Sequence, residues 1–330
     1  MELNQNQALE LAIEKLIESG ASKENALPLA RGIIDAENQG IKSHGFHYLP
    51  IYCLHLKCGK VNGQASPSLT TISQSAYKIN ADHGFAHRAI DLAFDKIIPS
   101  AKEFGIASVG ISQSYNCGVL GYHTKNLALQ GLVGIGFTNA PASIAPAGGT
   151  QAVVGTNPFS IAVPVDGEVK LIIDQSASVV AKSEISVRAK NNESIPEGWA
   201  YGPDGKTTTD AKIAMTGTMA PSGGYKGFGV GLLVEIMAAC LGGGVLGTQA
   251  SSFANDVGGP PSTGQFFMAF NPEKFNESFN SQINTLLNSI ESQEGPRVPG
   301  SSRMKNFEVN KNSPITIKDV LFETISKIKF

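Results

Sequence analysis

The longest apolar run in the chain, GVGLLVEIMAACLGGGVLG at 229–247, constrains the fold more than any other feature. It approaches the length of a membrane span, yet it carries Glu235 within it and three consecutive glycines near its end. A carboxylate at that depth in lipid is costly, and a glycine run weakens any helix that would have to continue through it. The segment therefore reads as a buried helix inside an enclosing protein core. Its last glycines, Gly242, Gly244 and Gly247, spell GxGxxG. As a dinucleotide fingerprint that motif works only between a strand and a helix, because the pyrophosphate sits on the helix N-terminus. Here the glycines follow a helix and lead into LGTQASSF, so they read as a helix end and a turn. A nucleotide site in this chain has to be built without a Rossmann unit.

At 330 residues the chain is long enough for two or three packed subdomains. Its 26 Lys and Arg against 28 Asp and Glu leave a net charge of −2, so no field gathers a phosphate backbone or an anionic bilayer. Neither nucleic acid nor a membrane is an expected partner. The cysteines, Cys53, Cys58, Cys117 and Cys240, contain no CxxC pair, which argues against structural zinc and a disulfide framework. No metal site is expected. The start, MELNQNQALELAIEKL, lacks a basic segment followed by a continuous apolar one, and a cytoplasmic location is the expectation.

Leu9, Ile13, Leu16 and Ile17 recur at helical spacing, with Gly20 following as a C-cap, so residues 5–19 read as an amphipathic helix. Ser22 can cap a second helix that carries Leu29 and Ile33 on one face and stops at Gly40. From about residue 77 the texture changes. Strand-like runs at 105–111 and 132–137 flank a helical stretch at 121–129, and later strands are expected at 159–165, 170–173 and 266–270. Helices are expected at 228–241 and 275–292, and a long ordered loop at 191–218. The fold class is α/β, with an N-terminal helical unit over 1–75 packing with 275–330, and an α/β core over 76–274.

Among six histidines, His44 lies in a polar Ser-His-Gly turn just past a helix, where a general acid can be firmly anchored. Asp174, ending the run KLIID, or Glu184 ten residues later could orient it. GTNPFS at 155–160 and PSGGYKGFG at 221–229 combine turns with donors and present Lys226 at a helix entry. Each also has a plain structural reading as turn chemistry or a solvated lysine.

Taken together and in order, SHG at 43–45, NCGVLGYH at 116–123, APAGG at 145–149, GTNP at 155–158, IIDQSAS at 172–178, IPEGWA at 195–200, GGYKG at 223–227 and RVPG at 297–300 resemble the malate/L-lactate dehydrogenase family of the non-Rossmann type. Its members include sulfolactate dehydrogenase, ureidoglycolate dehydrogenase and the Δ1-piperideine/Δ1-pyrroline-2-carboxylate reductases. The resemblance implies a mixed central sheet, a homodimer, and NAD or NADP as cofactor, with NADPH the favoured form. It also implies hydride transfer to a small 2-oxo acid or cyclic imino acid. His44 is then the proton donor, with Ser43 and Glu184 completing its relay, and His47, Tyr48 and Thr156 lie against the substrate. Cofactor contacts fall on Cys117, Gly118, Val119, Leu120, Gly121, Asp174, Gln175, Ser176, Tyr225, Lys226, Arg297 and Arg303. The main departure is Tyr48, where relatives usually carry an arginine that pairs with the substrate carboxylate. A scaffold that binds nucleotide without turnover is the competing reading of that departure.

Overall fold

The computed structural model describes residues 1–328. Helix α1 (Gln5–Glu18) starts at Asn4, which forms a reciprocal capping box with Gln7. Ser22 caps α2 (Lys23–Gln39), and Gly40 ends it at φ +78°, a left-handed conformation that favours glycine. The expected helical hairpin is present, and both its ends have a chemical cause. A short turn over Lys42–His44 leads to α3 (Leu49–Lys57).

Seven strands form the main sheet: β1 (Ser68–Ser73), β2 (Ala76–Asn80), β3 (Ile106–Ser114), β4 (Val133–Thr138), β5 (Phe159–Val165), β6 (Glu168–Gln175) and β7 (Thr263–Phe270). Their order is β1-β2-β3-β7-β4-β5-β6. The pair β2 and β3 is parallel and is bridged by α4 (Ala86–Phe104), while the other pairs are antiparallel. Strand β7 arrives late in the chain and inserts between β3 and β4, with Phe266 opposite both Gly110 and Phe137. That mixed order differs from a doubly wound sheet. The β1–β2 hairpin straddles the 75/76 boundary expected from the texture change, because its strands pair with each other before β2 joins β3.

Helix α4 was not among the expected elements: Pro99 lies inside it and no side chain caps its start at Phe85. It nevertheless buries Ile90, Ala93 and Ile97 against Val109, Ile111 and Phe267 of the sheet and Leu127 of α5 (Leu120–Ala128). The expected loop at 191–218 is instead a small lobe. It follows α6 (Lys182–Asn191) and holds α7 (Ala211–Thr216), capped by Asp210, over a core of Ile185, Ile195, Ala211 and Met219.

The long apolar run is α8 (Tyr225–Glu235) continued by a π-helical turn over Ile236–Leu241. Only one face is buried. Val234 and Ala238 point inward, whereas Leu232, Leu233, Ile236 and Leu241 are 41–56% exposed. The buried Glu235 carboxylate accepts hydrogen bonds from Asn139 Nδ2, Asn157 Nδ2 and the Gly247 N–H at 3.3, 2.7 and 2.6 Å. Its oxygens are thus satisfied by donors that tie the GTNP turn to the helix. A Cβ on Gly247 would come within 2.6 Å of the Ala140 carbonyl oxygen, so the last glycine of GxGxxG serves backbone packing. Helix α9 (Phe279–Glu291) packs on β5, α10 (Ser301–Asn310) on α2 and β6, and α11 (Asp319–Ser326) on α3. Ile315, Ile317 and Ile325 join the core of α1–α3, bringing the C-terminal segment back to the N-terminal helices.

Candidate active site

Six pieces of chain converge on one cavity of about 440 Å³: the turn before α3, the loop from β3 into α5, the GTNP turn before β5, the end of β6, the start of α6 and the start of α10. Ser43, His44, Tyr48, Gly118, Val119, Leu120, Thr156, Asp174, Gln175, Ser176, Lys182 and Arg303 all line it. The turn carrying His44 is held by Glu37, whose Oε1 accepts from the Phe46 N–H at 2.8 Å. A Cβ on Gly45 would lie 2.2 Å from that oxygen, so a side chain there would have to displace the Glu37 carboxylate. Ser43 Oγ is 3.1 Å from His44 Nδ1, leaving Nε2 as the ring's other reactive nitrogen.

Burial pushes the His44 pKa below its ordinary value, the Asp174 carboxylate pulls it back up, and the Arg303 guanidinium lowers it again. Asp174 itself is raised by burial and held down by Arg303, by the Gly121 N–H and by His44. Arg303 Nη1 donates to Asp174 Oδ2 at 2.9 Å. Gly121 permits this packing, since a Cβ on it would lie 2.9 Å from Asp174 Oδ2. The cavity therefore holds an imidazole within the field of one carboxylate and one guanidinium, the makings of a tunable proton donor and acceptor.

Glu184, expected to orient His44, is placed elsewhere. It lies in the first turn of α6, 47% exposed, and its carboxylate accepts from Arg188 Nε at 3.1 Å along the same helix. His47 is exposed on the far side of the turn, against Glu37, Lys42 and Lys318. Tyr48, just before α3, stacks toward His44, with ring centroids 6.4 Å apart. Cys117 is buried in the core, its thiol pushed up to about 12 by burial against a hydrogen bond with Thr138, and its carbonyl oxygen accepts from His123 Nε2 at 2.9 Å. Tyr225 and Lys226 are exposed at the start of α8 and are not among the residues lining the cavity.

Two residues escaped the sequence reading. Asn116 Oδ1 accepts from the Tyr52 hydroxyl and the Gly118 N–H, both at 3.2 Å, while its Nδ2 donates to the Tyr48 hydroxyl at 3.5 Å. Tyr52 follows Tyr48 by one helical turn, a spacing that could have been noticed. Lys182, the other omission, lies two positions before Glu184 and faces the cavity.

Two other cavities lie beside it. Asp174, Gln175 and Arg303 also line a space of about 330 Å³ with Arg297 and Ser302. Ile172 joins that space to a third of about 620 Å³, floored by Leu129, Met304 and Phe307. Arg297 Nη1 donates to Ser302 Oγ at 2.9 Å and forms no ion pair among the described residues. Nor does any group of three or more His, Cys, Asp or Glu gather there in a way that could hold a metal ion.

Comparison with known proteins agrees with this geometry. The family model described as malate/L-lactate dehydrogenase matches residues 3–326. The (2R)-3-sulfolactate dehydrogenase (NADP(+)) of Chromohalobacter salexigens is 39% identical over 89% of this chain and 88% of its own length. The Δ1-pyrroline-2-carboxylate reductase of Ancylobacter novellus is 33% identical over 96% and 94%. The solved sulfolactate dehydrogenase of Methanocaldococcus jannaschii superposes with a TM-score of 0.89 at 30% identity, covering 99% of this chain and 96% of that one. On sequence and fold alike, this chain belongs to the malate/L-lactate dehydrogenase family.

Proposed function

We propose that the chain is an NAD(P)-dependent oxidoreductase acting on a small 2-oxo or 2-hydroxy acid of the malate, lactate or sulfolactate type, with His44 as proton donor and acceptor. The observation that carries this reading is His44 sharing one cavity with Asp174 and Arg303, beside two further cavities that share lining residues in turn. The residues present fit such a cofactor. Arg297 and Ser302 offer donors to phosphate, and Ile172, Met304 and Phe307 offer an apolar floor to an adenine ring. When bound, the nicotinamide supplies or receives the hydride. The chain's own part is to bring the substrate oxygen to His44 Nε2, where a proton is given in reduction or taken in oxidation. Asp174 supports the charged imidazole through its field, a role for which Glu184 is badly placed.

A second reading, reduction of a cyclic imino acid such as Δ1-pyrroline-2-carboxylate, is favoured by the Ancylobacter relative and requires the same proton donor. Following NADH and NADPH oxidation against pyruvate, oxaloacetate, sulfopyruvate and the two cyclic imines, with His44→Ala alongside, tests both. Turnover that survives in His44→Ala overturns the role of that residue. The exposed apolar face of α8 supports a homodimer, and sedimentation showing a monomer at micromolar concentration would count against it.

A further inference from the structure

The segment 252–255, just past the glycine-rich end of the long apolar run, belongs to no helix or strand. Among the described residues, three side chains tie its main chain to the rest of the fold, and all three come from 48–60. The Tyr48 hydroxyl, pushed up to about 12 by burial and so protonated, donates to the Phe253 carbonyl oxygen at 3.4 Å. His55 Nε2 lies 2.9 Å from the Asn255 carbonyl oxygen, which can only accept, so that nitrogen carries the hydrogen. Burial, and after it the Lys60 charge, lower the pKa of this ring, which leaves Nδ1 bare to accept from the Tyr115 hydroxyl. Lys60 Nζ donates to the Ser252 and Asn255 carbonyl oxygens at 2.5 and 2.8 Å.

Lys60 is the unusual member of this set. Gly59, at φ +77°, lets the chain reverse after α3, and the lysine that follows is 0% exposed. It forms no ion pair among the described residues, and the Asp256 carboxylate acts on it only through its field. A buried ammonium is tolerated only where something replaces its water, and here two main-chain carbonyls do so. Those carbonyls lie on either side of Phe253, whose own carbonyl meets Tyr48 and whose ring packs on Tyr115 with centroids 5.1 Å apart. We propose that Lys60 is a positioning residue, a tethered cation that latches segment 252–255 and, through the Phe253 carbonyl, fixes Tyr48 at the wall of the His44 cavity. The proposal rests on the functional reading above, which makes that cavity the substrate site.

Hydrogen exchange of wild type and Lys60→Met tests the latch without any need for turnover. Amides of 252–257 are expected to exchange about tenfold faster in the variant, while those of α4 keep their protection. Unchanged exchange in the segment overturns the latch. Steady-state kinetics with pyruvate, oxaloacetate and sulfopyruvate test the link to Tyr48. Lys60→Met is expected to raise KM about tenfold with kcat within about threefold, whereas in a Tyr48→Phe background it should change KM less than about twofold, because the hydroxyl that transmits the effect is gone. Equal changes in the two backgrounds, or none in either, overturn the positioning role. If wild-type enzyme turns over none of the acids, the functional reading fails by itself and hydrogen exchange decides the latch. Should Lys60→Met not fold, acetylation of Lys60 in Tyr48→Phe takes its place. Loss of the bond to Phe253 is expected to raise the acetylation rate about fivefold over wild type, and an unchanged rate overturns the latch.

Discussion

Burial lowers the pKa of both His44 and His123, yet they have opposite uses. His123, buried on α5, has its Nε2 on the Cys117 carbonyl oxygen and meets Phe267 edge-on and His87 at a tilt, and burial pushes its pKa down to about 4. No carboxylate acts on it. His44 has a cavity before it, a hydroxyl on Nδ1 and the Asp174 carboxylate raising its pKa against burial. A perturbed pKa alone therefore does not mark the reacting group. Access and an opposing charge do.

Breaking the comparison at His44 has the largest expected effect. His44→Ala should lower kcat/KM by about 10²–10⁴, the range of a positioned acid or base, and leave thermal stability nearly unchanged. Asp174→Asn comes next, with a loss of about 10- to 100-fold, because it removes the carboxylate whose charge favours the protonated imidazole. Its signature is in the pH profile. Reduction needs the protonated imidazole, so its rate falls as pH rises through the His44 pKa; removing the carboxylate lowers that pKa further and moves the fall to lower pH. An unchanged profile in Asp174→Asn would detach the two residues.

At His123 the expectation reverses. His123→Leu leaves the Cys117 carbonyl oxygen without its donor and should cost about 1–3 kcal/mol of stability, with kcat/KM within a few fold. The wild-type contribution also has a pH sign. The folded pKa of about 4 lies below the ordinary 6.5, so the unfolded chain binds the proton more readily. Stability from this group is complete above pH 6.5 and is lost as pH falls toward 4. Denaturant melts at pH 7 and pH 5, in wild type and His123→Leu, measure it.

Much of this was legible in the residues. The caps Ser22 and Gly40, the strand β5 and the end of β6 at Asp174 follow from local chemistry and alternation that the fold did not override. Helix α4 was hidden by Pro99 and an uncapped start, and it is stabilised by the sheet it covers. Within the site, His44, Tyr48, Thr156, Asp174 and Arg303 line one cavity, although the resemblance assigns Asp174 and Arg303 to the cofactor. What failed was side-chain direction. His47 and Tyr48 are neighbours in sequence but face different spaces, and Cys117 points into the core while Gly118 lines the cavity. Spacing along the chain cannot tell which of Lys182, Ser183 and Glu184 turns inward, because that depends on how α6 docks onto its small lobe.

That last ambiguity yields the smallest predicted effect and the sharpest one for the comparison. Glu184 is half exposed and paired along its own helix with Arg188, an arrangement that contributes about 0.3–0.5 kcal/mol in other helices. Glu184→Gln should therefore change kcat/KM less than about threefold and leave the His44 limb of the pH profile where it is. A loss matching that of Asp174→Asn, with the limb displaced, would mean that α6 moves on ligand binding to carry Glu184 to the imidazole. The carboxylate distinguishing His44 from His123 would then be supplied by a conformational change instead of standing ready at the end of β6.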